Sequence, residues 1–356
     1  MRSFRWKSPS EISVPMNVTW LLGSVMECKG RQEMYERRRP EVLRTLREIA
    51  LIESTESSNR IEGVTIDRAR LRPLVIGRAR PRDRSEEEIV GYRNALNWIH
   101  TRHAQVRIEP ATLQHLHGLA QAGGGDAGQW KRQDNEIIEV DATGNRWVRF
   151  RPVSAAETPE AMEDLCVAYR HATDQSLLPP LLATANLVLD FLCIHPFRDG
   201  NGRVSRLLTL LALYGHGYAV GRYLSLERLV EESKESYYEA LARSSTSWHE
   251  GRHDLSPWWG YFLTVIRSAY REFEQRVQRF SSRRGAKTEA VEAAIQQLPE
   301  RFTIAEVERL CPSVSRDMVR KVLSSLRHQN RVTVEKHGRN AVWRKLGNKQ
   351  PNLVRN

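Results

Sequence analysis

The chain has 356 residues, with 55 lysines and arginines against 43 aspartates and glutamates, a formal net charge of +12. At about 100 to 200 residues per domain this length suggests two or three domains, and a hydrophobic content of 40% excludes a disordered polycation. Membrane insertion and a cleaved signal are not expected: the most apolar N-terminal piece, residues 18–26, is short and flanked by polar residues, against the ~18 to 20 apolar residues a span requires.

Cys28, Cys166, Cys193 and Cys311 lie far apart with no C-x-x-C pair, which argues against a zinc site or a disulfide scaffold and fits a reducing cytoplasm. Residues 281–356 carry 16 basic and 7 acidic side chains, a net of +9, and residues 1–50 a net of +4, so the 230 residues between them are close to neutral. That distribution predicts a globular body joined to a smaller module with a preference for polyanions.

In chain order, Val42, Leu43, Leu46, Ile49, Ala50 and Ile52 recur at helical spacing between Glu41 and Ile61, and Pro40 suits a first-turn position. Helical patterning continues over Glu86–His100, with Ser85 as cap, and over Pro110–Leu119, Pro159–His171 and Leu181–Cys193. Asn135–Val140 and Arg146–Phe150 are rich in β-branched and aromatic residues, and Asp141-Ala142-Thr143-Gly144-Asn145 between them is turn chemistry, which predicts one β-hairpin. Helices resume at Arg203–Tyr214, Ser225–Ser244 and Pro257–Gln278, and Ser281-Ser282-Arg283-Arg284-Gly285 has the composition of a linker. Beyond it come helices at Lys287–Gln297, Ile304–Leu310 and Arg316–Gln329. Two strands follow, Arg331–Glu335 and Asn340–Arg344, joined through Gly338 in a winged-helix outline.

The segment that carries chemistry is residues 190–211, an apolar helix, a polar loop His195-Pro196-Phe197-Arg198-Asp199-Gly200-Asn201-Gly202-Arg203, and a second apolar helix. Gly200 and Gly202 allow close backbone approach, and the amides opening the second helix form an anion site. Arg203 and Arg206 are expected in the first turn of that helix, where they oppose the macrodipole, so an anionic ligand is needed to offset them, and their spacing suits successive phosphates. Asp199 would repel phosphate unless a cation such as Mg²⁺ intervened, and His195 supplies a base near neutral pH. Asp199-Gly200-Asn201-Gly202 also suggests a calcium loop, but the remaining ligands of that pattern are missing.

Residues 195–206 resemble the Fic family, matching its motif H-x-F-x-[DE]-G-N-G-R-x-x-R at every specified position. The resemblance, which spans roughly residues 30–265, implies transfer of AMP from ATP to a protein hydroxyl. It makes His195 the general base, Phe197 the loop anchor, Asp199 the Mg²⁺ ligand, and Gly200, Asn201 and Gly202 the anion cradle, with Arg203 and Arg206 on the distal phosphates. Tyr237 and Tyr238 resemble the segment lining the adenine pocket, and the hairpin lies where the family has its flap, an edge on which a target strand could pair. Ser58-Asn59-Arg60-Ile61-Glu62-Gly63 is similar to the inhibitory signature [ST]-x-x-x-E-[GN], which implies that Ser58, Glu62 and Gly63 belong to a brake in which Glu62 withholds Arg206 from the γ-phosphate. Removal of AMP through water activated by Glu62 is the alternative.

The expected fold is therefore mainly α: a helical N-terminal region with the inhibitory helix (1–80), a Fic-type core with a β-hairpin flap (81–280), a linker (281–285), a winged helix (286–347) and a tail (348–356). The resemblance implies ATP and Mg²⁺ as cofactors and, as partner, a target protein bearing a Ser, Thr or Tyr hydroxyl, this chain itself included. The family often dimerises, so a homodimer is an expectation. Arg316, Arg320 and Lys321, with Arg327 on the same helix and Arg339, Arg344 and Lys345 on the wing, suit phosphates along duplex DNA. A DNA-bound regulator whose core only senses nucleotide is the competing function.

Overall fold

Proline at the first helical positions and apolar residues at helical spacing make most of this chain helix. The computed structural model describes residues 1–38, 40–140, 144–282, 286–311, 314–336, 338 and 341–346. It opens with α1 (Met16–Arg38), α2 (Pro40–Ile61), α3 (Arg68–Val75), α4 (Arg84–Arg102) and α5 (Pro110–Ala120). The antiparallel hairpin β1 (Ile137–Val140) and β2 (Arg146–Phe150) follows, with Val140 opposite Arg146. Next come α6 (Thr158–Asp174), α7 (Pro180–Ile194), α8 (Asn201–Gly215), α9 (Leu226–Glu232), α10 (Lys234–Ser245) and α11 (Ser256–Ser282).

The chain divides into two compact units, Met1–Glu274 and Gln275–Asn356. In the first, α7 is apolar all round, and nearly every residue of it is buried, as expected for a central helix. It packs on α6 and α8, while α4 packs on α2, α5 and α8. Residues 1–6 are pinned to α7. The Asp190 carboxylate accepts from Ser3 N (3.0 Å), Ser3 Oγ (2.5 Å) and Trp248 Nε1 (2.6 Å), and Asn186 Nδ2 donates to Ser3 O (2.7 Å). These bonds satisfy a fully buried carboxyl that burial otherwise pushes up.

The second unit contains α12 (Ala286–Gln297), β3 (Arg301–Thr303), α13 (Ile304–Leu310), α14 (Arg316–His328), β4 (Val332–Lys336) and β5 (Val342–Lys345). Its sheet is antiparallel in the order β3-β5-β4, and Val291, Phe302, Val307, Val319, Leu323 and Leu326 belong to a core of its own. Thr303 and Glu306 close a capping box on α13.

Several expectations need correction. The cap of α4 is Asp83, whose carboxylate accepts from Glu86 N at 2.9 Å, so the helix starts ahead of Ser85. The expected helix over Ser225–Ser244 is two, because Ser233 leaves the helical conformation (φ −114°, ψ 30°) and its hydroxyl donates back to Leu229 O at 2.7 Å. Residues 18–26 are part of the long helix α1, and β3 was not expected at all. The turn residues Asp141 to Thr143, the linker residues 283–285, Arg339 and Asn340 of the wing, and residues 348–356 lie outside the described residues.

Candidate active site

Two helix ends and a six-residue loop build the site. α7 terminates at His195, held in the left-handed region (φ 51°) with its N–H on Phe191 O at 2.9 Å, and α8 starts after Gly200, also left-handed (φ 76°). At Gly200 a side chain is barred twice, by the positive φ and by Gln121 Nε2, which a Cβ would meet at 2.5 Å.

The loop is braced from within and from two sides. Asn201 accepts from Phe197 N (3.0 Å) and donates to Phe197 O (2.8 Å), so this buried amide closes the loop, and only its backbone is left for an anion cradle. Phe197 is fully buried and stacks on His117 with ring centroids 3.8 Å apart. Gly128 N donates to His117 Nδ1 (2.8 Å), which leaves the proton on Nε2 to donate to Asp199 O (3.1 Å). On the other side Lys131 grips both neighbours of His195: its Nζ donates to Ile194 O (3.1 Å) and its backbone N–H to Pro196 O (2.8 Å). Asn135 ties the two together, accepting from Lys131 Nζ (2.8 Å) and donating to Phe197 O (3.2 Å) just before β1 begins.

His195 Nδ1 lies 3.3 Å from Leu192 O, so it carries the proton and Nε2 is the free acceptor. Burial pushes the imidazole down to about 4, and the Lys131 charge acts in the same direction, so the ring is neutral at pH 7. Burial likewise pushes Lys131 down to about 8. Asp199 is exposed, with Oδ1 accepting from Gly200 N (2.7 Å) and Oδ2 from Gln121 Nε2 (3.3 Å).

The two arginines have separate fates. Arg203 is 2% exposed, with Nη1 on Glu88 Oε2 at 2.6 Å and Nη2 3.7 Å from Asp199 Oδ2. Since α8 begins at Asn201, Arg206 sits in its second turn, not its first. Its Nε donates to Ser58 Oγ (2.8 Å), and its Nη2 donates to Ser58 O (3.0 Å) and Glu62 Oε1 (2.8 Å). Burial works against the Arg206 charge, but Glu62 and the other neighbours more than offset it, and the guanidinium stays above its ordinary range. The Glu62 carboxylate also lies against Gly202, where a Cβ would overlap Oε1. An anion of the chain itself thus occupies the start of α8. Gly63 (φ 83°) ends α2 behind it, with Val64 N on Asn59 O at 2.9 Å.

Tyr237 and Tyr238 divide into one core and one surface residue. Tyr237 is buried against Trp258 and Tyr261 and lines a ~40 Å³ cavity beside Arg206, whereas Tyr238 is 47% exposed, packed edge-on to Tyr237 with Lys234 Nζ 5.9 Å from its ring centroid. In the second unit Arg316 pairs with Glu308 and Arg320 with Asp317, each at 3.4 Å, while Lys321 is exposed. Sequence reasoning missed His117, Gln121, Lys131, Asn135 and Glu88; His117, on the inner face of a helix eleven residues before Gly128, offered the nearest thing to a signal.

Residues 107–213 match the model of the Fic/DOC family. A Fido domain-containing protein of Dictyostelium discoideum is 30% identical over 102 residues, which cover 27% of this chain and 65% of that relative's length. A Fic family protein from Desulfovibrio desulfuricans has a similar fold over 97% of this chain and 100% of its own, with a TM-score of 0.63 at 20% identity. A Fic domain containing signaling protein from Bacteroides thetaiotaomicron covers 74% of this chain and 97% of its own, with a TM-score of 0.60 at 20% identity. Residues 107–213, which contain the loop of residues 195–206, thus carry a domain of the Fic/DOC family.

Proposed function

We propose that this protein is an adenylyltransferase that moves AMP from ATP onto a Ser, Thr or Tyr hydroxyl of a target protein, and that Glu62 holds it at low activity. The observation that carries the reading is the pairing of a neutral, Nδ1-anchored His195 with a helix start whose arginine, Arg206, is held by an internal carboxylate. Nε2 of His195 accepts the hydroxyl proton as the hydroxyl oxygen attacks the α-phosphorus; the bond from that phosphorus to the bridging oxygen breaks, and pyrophosphate leaves with the electron pair. The amides opening α8 receive phosphate oxygens, and Arg206, once off Glu62, pairs with the γ-phosphate.

Asp199 fits Mg²⁺, being an exposed single carboxylate beside the helix start, and no cluster of three or more potential metal ligands occurs among the described residues. Such a site suits an ion completed by phosphate oxygens and water, and the ion would neutralise charge on those oxygens. In this reading Tyr238 stacks on the base, which its 47% exposure supports. The exposed Ile138, Trp147 and Val148 of the hairpin suit an extended target segment, and this chain or a second copy of it in a dimer is included among the targets.

One observation also favours AMP removal: the Glu62 carboxylate against Gly202 is within the anion site, where it could activate water. Intact-mass spectrometry after incubation with Mg²⁺·ATP tests the main reading. An AMP adduct on the chain or on added protein, larger in Glu62→Gly and lost in Glu62→Gly/His195→Ala, is expected. Loss of a pre-formed adduct in the unmodified chain, with no gain in Glu62→Gly, would transfer the assignment to removal.

A further inference from the structure

The second unit has a core of its own, and its charges are unevenly spent. Glu335 sits between Arg301 (2.9 Å) and Arg344 (3.0 Å), Glu292 holds Arg331 (2.9 Å), and Glu306 is consumed by the cap of α13. Glu308 lies 3.4 Å from Arg316. Glu335 on the sheet, Glu292 on α12 and both acids of α13 thus have partners, and α14 presents mostly cations on its exposed face.

α14 is sharply two-sided. Val319, Val322, Leu323 and Leu326 are buried, and the opposite face presents Arg316, Arg320, Lys321, Ser324 and Arg327, all exposed. Asp317 is the one acid on the helix, and its 3.4 Å contact with Arg320 is between exposed groups, a pairing worth little that phosphate would displace. Small Ser324 in the middle of the face lets a backbone come near. α14 follows α13 after a five-residue connection, the order in which a second helix enters the major groove while strands behind it approach the backbone.

We propose that α14 is a docking face for duplex DNA, with Arg320, Lys321 and Arg327 on phosphates. Charge complementarity selects this occupant: a protein-docking helix would carry an apolar patch, and the outward face of α14 carries cations and serines. The inference does not depend on nucleotidyl transfer, since none of these residues belongs to the loop of residues 195–206.

The test is fluorescence anisotropy of the full chain with a labelled 30-base-pair duplex of arbitrary sequence, titrated from 50 to 200 mM salt. Three to four phosphate contacts predict a slope of about −3 in log K against log salt, or roughly a 40- to 150-fold loss over that range. Lys321→Glu/Arg327→Glu should weaken binding at 50 mM salt more than about tenfold and flatten the slope by about 2. Arg78→Glu/Arg80→Glu, with the same change in net charge on the exposed surface of the first unit, should stay within about threefold. Absence of binding at 50 mM salt, a flat salt dependence, or equal losses in the two double variants would each overturn the proposal.

Discussion

Releasing Arg206 is the perturbation whose size can be worked from the structure. Three hydrogen bonds hold the guanidinium on α2, two to Ser58 and one to Glu62 at 2.8 Å. A charge-assisted bond contributes about 1.5 to 3 kcal/mol, and because Glu62 is 28% exposed its contribution belongs in the lower half of that range. At about 1.4 kcal/mol per factor of ten, Glu62→Gly should raise the initial rate of AMP incorporation at sub-saturating ATP by roughly 10- to 40-fold. The carboxylate also obstructs the start of α8, so the apparent ATP affinity should improve in the same variant. Ser58→Ala removes one neutral acceptor and leaves Glu62 in place, and only a few-fold rise is expected from it. The assay is transfer of labelled AMP from Mg²⁺·ATP, with rates normalised to ATP bound. A Glu62→Gly chain that binds ATP yet transfers no faster than the unmodified one would refute the argument that this contact limits turnover.

Lys131→Met should lower turnover in the Glu62→Gly background about tenfold with little change in ATP binding, because the carbonyl of Ile194 loses its charged donor. It should also raise the His195 pKa, read by NMR titration of the imidazole; an unshifted pKa with unchanged turnover would dismiss Lys131 as a positioning residue. Gly202→Ala should abolish tight ATP binding even without Glu62, since its Cβ fills the space the carboxylate now takes, and retained affinity would show that phosphate does not approach α8 there. Burial holds His100, His195 and His253 near 4 in the folded chain, against about 6.5 unfolded. Below pH 6.5 the unfolded chain therefore takes up protons the folded one refuses, so this stability is complete above 6.5 and lost as pH falls toward 4. Urea midpoints should drop across that window, and midpoints level from pH 7 to 4 would contradict the assignment.

What the chain says of itself is uneven. Helices with a proline start and an apolar stripe were legible, as was the hairpin, because both signals are local. The loop of residues 195–206 was legible for the same reason: twelve consecutive residues carry the backbone freedom, the base and the carboxylate. The contacts that hold the loop in shape were not, because His117, Lys131 and Asn135 come from 62 to 82 residues upstream of their partners. A lysine following a tryptophan has no periodicity to mark it, and its meaning appears only when its side chain and its backbone close on Ile194 and Pro196.

Arg203 and Arg206 show where local reasoning ends. Three residues apart on α8, they are turned by about 60° from one another, which in solution would leave them a matched pair. In the fold that small rotation sends one toward Glu88 on α4 and the other toward Ser58 and Glu62 at the end of α2. The first becomes a buried strut whose loss would leave Glu88 with only the exposed Arg84 as partner, and the second remains a cation held by a carboxylate that is itself only partly buried and therefore replaceable. The same contrast is why the proposed brake acts on Arg206 and not on Arg203. Glu62 follows the last turn of α2, just ahead of Gly63, so a displacement of that helix end alone frees Arg206, while freeing Arg203 would require α4 to leave the core.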